Sequence, residues 1–158
     1  MAEHDNDQLP PQELAEACAA AMYERDLAVR HLGIQVLRMA PGEADLQMTI
    51  SETMIQGHAN CHGGYLFTLA DSAFAYACNS YDEVCVALGC SIDYIAPGRL
   101  GDLLTARATQ VSRSGRTGNY DVRIENQHGQ LIAVFHGKSY KIRGSVRQQE
   151  NQARDKGV

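Results

Sequence analysis

The sequence predicts an α+β fold in which an antiparallel sheet wraps around one long central helix. Two observations point to it. The stretch from Ala59 to Tyr81 is apolar and helix-length, and Asp71 is its only acidic or basic side chain apart from histidine. Six shorter segments read as strands, most of them alternating apolar and polar residues, with short Gly- or Pro-bearing turns between them. Short connections imply antiparallel pairing.

Residues 1–11 form a polar lead ending in Pro10-Pro11. Pro11 ahead of Gln12-Glu13-Leu14 suits the first turn of a helix. A helical pattern continues through Ala15, Cys18, Ala19, Met22 and Tyr23 towards Arg30, and Gly33 ends it. This helix is amphipathic and should lie on the domain surface. Ile34 to Met39 reads as a strand and Pro41-Gly42 as a turn. Ala44, Leu46, Met48 and Ile50 alternate with Asp45, Gln47 and Thr49, completing a hairpin. Ser51 to Asn60 is an irregular crossing with one helical turn at Ser51–Met54. After the central helix, Val84 to Tyr94 forms a long strand and Pro97 to Asp102 a turn. Leu103 to Ser112 is the next strand, and residues 114–118 turn into Tyr120 to Glu125. Gln127-His128-Gly129 is a hairpin turn, and Leu131 to Ile142 is the last strand. The last four strands are expected in hairpin-like succession. One domain is expected over residues 12–143, with a polar, disordered tail over 144–158.

Bulk properties exclude several functions. The 158 residues carry a formal charge of −5 and no basic stripe, which argues against nucleic-acid binding. Five cysteines, an odd number, sit mainly in apolar segments and read as reduced thiols of a cytoplasmic protein. The acidic start lacks a signal-peptide pattern. Thr68, Asp71, Ser72, Asn79 and Ser80 make the central helix too polar for a membrane span.

The central stretch holds the chemistry. It reads as a helix buried all round, where a carboxylate is costly unless it is used. At its start, His62-Gly63-Gly64 offers bare backbone N–H groups at the positive end of the helix dipole. One sheet cannot cover such a helix completely, so its remaining apolar face should meet a second chain. His58, Cys61 and His62 are too closely spaced, with no distant second cluster, to suggest a metal site.

The loop His62-Gly63-Gly64, the helix motif Leu69-Ala70-Asp71 and the following Ala73-Phe74-Ala75-Tyr76-Ala77 resemble hotdog-fold acyl-CoA thioesterases of the phenylacetic acid degradation (PaaI) type. The likeness runs from about Met22 to Ile142. It includes Cys90-Ser91-Ile92-Asp93-Tyr94-Ile95-Ala96-Pro97-Gly98 and Lys138-Ser139. It implies that the Gly63 N–H polarises the thioester carbonyl and that Asp71 acts as general base or nucleophile. His62 matches the histidine before the glycines. Gln56 stands where relatives often have Asn. The resemblance further implies phenylacetyl-CoA or hydroxyphenylacetyl-CoA as substrate, no cofactor beyond the coenzyme A of the substrate, and a homotetramer assembled as a dimer of dimers.

Gly63 and Asp71 are eight residues apart, roughly 12 Å along one helix. One carbonyl carbon cannot lie within about 3 Å of both groups of a single chain. If both act on one thioester, Asp71 comes from a second, antiparallel subunit. Gly64, Tyr65 and Phe67, with Phe74, are candidates to line the acyl pocket. Arg113, Arg116 and Lys138, with Lys141, are candidates for the coenzyme phosphates. The rival readings are a hotdog acyl-CoA or acyl-carrier hydratase and a non-catalytic acyl-CoA binding module. A hydratase would want a His paired with an acid at the site, and His62 stands far from Asp71 in its own chain. The binding module would not need Asp71.

Overall fold

The computed structural model describes residues 8–148. The first helix, α1 (Pro11–Arg25), begins with Pro11 in its first turn, and Ala15, Cys18 and Ala19 are its buried residues. The expected continuation to Arg30 is broken at Asp26, whose carboxylate accepts from the Val29 N–H and caps a separate short helix, α2 (Leu27–His31). A side chain that satisfies a helix start competes with continuing the previous helix.

Strands β1 (Gln35–Ala40) and β2 (Glu43–Thr49) form the predicted hairpin. A single 3-10 turn, Glu52–Met54, lies where one helical turn was expected. The central helix α3 (Gly63–Cys78) follows. Then come β3 (Cys85–Tyr94), β4 (Leu103–Ser114), β5 (Thr117–Glu125) and β6 (Leu131–Lys141). All pairs are antiparallel, and the six-stranded sheet has the order β1-β2-β4-β5-β6-β3.

This order corrects one expectation. β4, β5 and β6 follow one another as hairpins, but β3 pairs with β6 and not with β4. Residues 97–102 are therefore a crossover loop. The backbone of Ile50 bonds Asp102 and Gly101, and the Asp102 carboxylate accepts from the Arg99 N–H. These bonds fasten the loop to the end of β2 and lay β4 beside it. The result leaves β3 at one edge of the sheet and β1 at the other.

α3 packs across one face of the sheet. Leu66, Leu69, Ala70, Ala73, Phe74, Tyr76 and Ala77 are buried there against Leu46, Met48, Leu104, Val122 and Ile124. Ala44, Ala106 and Ala108 keep the facing strands low, so the helix can approach closely. Gly137 on β6 does the same beneath Phe74, since a Cβ there would lie 2.7 Å from the Phe74 ring. Gly137→Ala is expected to destabilise the fold by about 1–3 kcal/mol, the usual cost of overpacking. Urea unfolding checks this.

Helix α3 is not buried all round in the single chain. Asp71, Ser72, Thr68 and Ala75 are only half-buried, and Gly64 is exposed. Their spacing places them on one strip of the helix. The adjoining edge strand exposes Val86, Leu88 and Tyr94, at 44%, 59% and 54%.

The ordered chain also runs past the expected boundary at residue 143. Val146 is buried with Cys18 and Val84. Asp82 accepts hydrogen bonds from the Ser145 hydroxyl and from the Arg147 backbone and guanidinium. Residues 144–148 are thus docked on the domain, and the rest of the expected tail lies outside the described residues, as do residues 1–7 of the lead.

Candidate active site

The loop before α3 is built from its own backbone bonds. Ile55 bridges to Cys61, and Gln56 and Asn60 pair through N–H and C=O at 2.9 Å. The His62 N–H donates to the Met54 carbonyl and the Cys61 N–H to the Gly98 carbonyl. The loop is thereby tied both to the 3-10 turn and to the crossover loop. His62 then caps the helix, with Nδ1 accepting from the Gly64 N–H at 2.9 Å. This bond requires Nδ1 to be unprotonated.

The cap divides the two glycines. The Gly64 N–H, expected to be open to substrate, is occupied by His62. The Gly63 N–H has no partner among the described residues. It stands at the first position of α3, where backbone donors are orphaned and the dipole is positive. It borders a cleft of about 360 Å³ lined by Gln56, Asn60, Leu66, Tyr94 and Pro97. Gln56 uses its side-chain oxygen to accept from the His58 N–H at 2.8 Å, and its amide Nε2 has no partner among the described residues. The Tyr94 hydroxyl donates to the Gly63 carbonyl at 3.1 Å. A Cβ on Gly63 would lie 2.8 Å from that phenol.

Asp71 sits two turns further along, on the half-buried strip. Burial raises its pKa above the usual carboxylate range, and a hydrogen bond from the Cys90 thiol works against the rise. The Cys90 sulfur is 3.9 Å from Oδ1. The neighbouring Thr68 and Ser72 hydroxyls are occupied with helix carbonyls at 2.9 and 2.6 Å. Cys90 and Tyr94 are the contacts that sequence reading missed. Both lie on β3, in the Cys90–Gly98 segment that carries part of the family likeness, which assigns neither of them a role. Alternation along the strand does place them on one face.

Other candidates fall elsewhere. Tyr65 is half-buried, with its ring 6.4 Å from His62 in an edge-on arrangement. Phe67 packs edge-to-face on Phe135, with centroids 5.4 Å apart. Phe74 is fully buried between Tyr120 and Phe135, so it is core and not pocket lining. Cys61 is buried and its thiol is pushed up to about 11, which makes it a poor nucleophile. Arg113 is engaged by Glu83 and lies 3.9 Å over the Tyr81 ring. Lys141 also bonds Glu83, at 2.7 Å. Arg116, Lys141 and Arg143 border a separate cleft of about 450 Å³. Lys138 is exposed one residue beyond Gly137, which faces Phe74, so alternation puts it on the outer face of the sheet.

Comparison with known proteins agrees with this geometry. Residues 58–133 match the Thioesterase superfamily. The chain is 48% identical over 128 residues to the acyl-coenzyme A thioesterase PaaI of Escherichia coli strain K12, covering 81% of this chain and 91% of that protein. The solved structure of the E. coli PaaI protein from the phenylacetic acid degradation operon superposes with a TM-score of 0.85 at 46% identity, covering 86% of this chain and 99% of the other. A protein of Streptococcus pneumoniae TIGR4 described as a hypothetical thioesterase, solved with coenzyme A, superposes at a TM-score of 0.68 with 28% identity, covering 71% of this chain and 90% of the other. No helix among the described residues is long and apolar enough to cross a membrane. With its sheet order, its single central helix and these relatives, the chain belongs to the thioesterase superfamily, as a hotdog-fold member of the PaaI type.

Proposed function

We propose that the chain hydrolyses a small aromatic acyl-CoA, phenylacetyl-CoA or hydroxyphenylacetyl-CoA, to the free acid and coenzyme A. One observation carries the reading. Gly63, whose N–H has no partner among the described residues, lines a cleft at the start of α3, while Asp71, a carboxylate whose pKa burial raises, sits eight residues along the same helix. The first suits an oxyanion developing on the thioester carbonyl. The second suits activation of water, or direct attack to give a mixed anhydride. The Gln56 amide, without a partner among the described residues, is a second donor beside the same cleft.

The two groups work together only across two chains, because about 12 Å of helix separates them. The half-exposed strip of α3 and the exposed apolar residues of β3 supply the surface on which a second copy packs. Two equivalent sites per dimer follow, and two dimers associate into a tetramer in this reading. Arg116, on the turn into β5, contacts the coenzyme phosphates. Arg113 contributes less, since Glu83 already engages it.

The aryl preference rests on likeness to a protein of phenylacetic acid degradation and on the modest cleft. Thiol release from phenylacetyl-, 4-hydroxyphenylacetyl-, acetyl- and palmitoyl-CoA tests it. The aryl substrates should exceed both others in kcat/KM by about tenfold or more. Preference for palmitoyl-CoA would move the assignment to another acyl class, and no hydrolysis of any thioester would point to a binding module.

A further inference from the structure

Strand β3 touches both halves of the proposed site. Cys90 and Tyr94 are four residues apart on it, so alternation places both on the face towards α3. The Cys90 sulfur lies 3.9 Å from Asp71 Oδ1. The Tyr94 hydroxyl is 3.1 Å from the Gly63 carbonyl, and its ring occupies the space that a Gly63 side chain would fill. We propose that Cys90 and Tyr94 are a pair of positioning residues, one orienting the Asp71 carboxylate and the other the Gly63 backbone.

The argument for Cys90 is one of exclusion. A half-buried carboxylate has few donors to fix its plane, and the Thr68 and Ser72 hydroxyls are already taken. Among the described residues, the titratable groups acting on Asp71 are Cys90, from β3, and Cys78, on its own helix. Cys78 bonds to the Ala75 carbonyl, so it does not orient the carboxylate. The argument for Tyr94 is one of restraint. Gly63 has no side chain to hold it, and its N–H has no partner among the described residues. A phenol packed on its Cα and bonded to its carbonyl removes the freedom that the missing side chain leaves. Because the site is shared between copies, one β3 serves the Asp71 of one site and the Gly63 of the other.

This inference rests on the proposed hydrolysis, and its test separates the two. Full-length Cys90→Ala, Cys90→Ser, Tyr94→Phe and Asp71→Asn proteins are assayed across pH on the acyl-CoA that the parent turns over fastest. Melting temperatures are recorded alongside. Cys90→Ala should move the acidic limb of kcat/KM upward by about half a pH unit or more, and Cys90→Ser, which keeps a donor, should bring it back. Tyr94→Phe should lower kcat about fivefold, leave KM within about twofold and leave the limb in place. A Cys90→Ala profile that superimposes on the parent, or a Tyr94→Phe protein at parental kcat, overturns the pairing. Full turnover by Asp71→Asn would instead remove Asp71 from the chemistry, and a parent that hydrolyses no acyl-CoA would sink the hydrolysis reading itself.

Discussion

Asp71→Asn is expected to lower kcat by about 10²–10⁴-fold, the range that a positioned base or nucleophile supplies. The change keeps the shape of the side chain and removes its charge, so the loss reports chemistry and not packing. The parent should show a kcat/KM that rises with pH through a single limb placed above the usual carboxylate range, because burial favours the protonated form. The stability effect has the opposite sign. Folding raises the Asp71 pKa, so the folded chain holds the proton more tightly than the unfolded chain. Stability is therefore fullest below the ordinary carboxylate pKa and falls as pH rises through the raised value. Asp71→Asn should accordingly melt higher than the parent near neutral pH. The gap should close in acid. Calorimetry at pH 4 and pH 8 checks it. A variant that is inactive yet more stable is the signature of a strained functional group.

Much of this fold was legible because it is written in short periods. The β2 and β5 segments alternate cleanly, and both strands appear within a few residues of the expected bounds. Pairing was less legible. A Pro-Gly turn ahead of β4 reads locally as a hairpin, but whether it reverses onto β3 or crosses to β2 depends on bonds to Ile50, far away in sequence. The Asp26 break was hidden for a related reason, since Asp inside a helical pattern reads as solvated surface until its carboxylate is seen to cap Val29. At the site, Gly63 and Asp71 stood out as exceptions to their surroundings, bare backbone at a helix start and charge in an apolar helix. Cys90 and Tyr94 did not, because an inward Cys and Tyr on an alternating strand look like ordinary core. The division of labour between Gly63 and Gly64 needed the His62 rotamer, which no sequence pattern specifies.

Mixing damaged subunits should restore activity that neither parent variant has. Gly63→Pro is suited to one side of the experiment. Gly63 occupies the first position of α3, where proline is tolerated and where the N–H has no intrahelical role. His62 before it has φ −60° and ψ 133°, the extended conformation that a following proline favours. The substitution therefore deletes the oxyanion donor with little cost to the helix. Its side chain does meet Tyr94, so Gly63→Ala, which brings the same Cβ and keeps the N–H, is the steric control. Gly63→Pro is expected to lose about 10²–10³ in kcat, and Gly63→Ala markedly less. Asp71→Asn supplies the other subunit. When equal amounts exchange at random, about half the dimers are mixed, and each mixed dimer has one intact site and one doubly damaged site. The mixture should therefore recover about a quarter of parental activity, from partners that each retain about 1% or less. Subunit exchange is verified by mass spectrometry of the intact dimer. Mixed dimers that form and stay inactive would show that Gly63 and Asp71 do not meet across the interface. A quarter of the activity has no explanation within one chain, because no folded helix brings its first turn to its third.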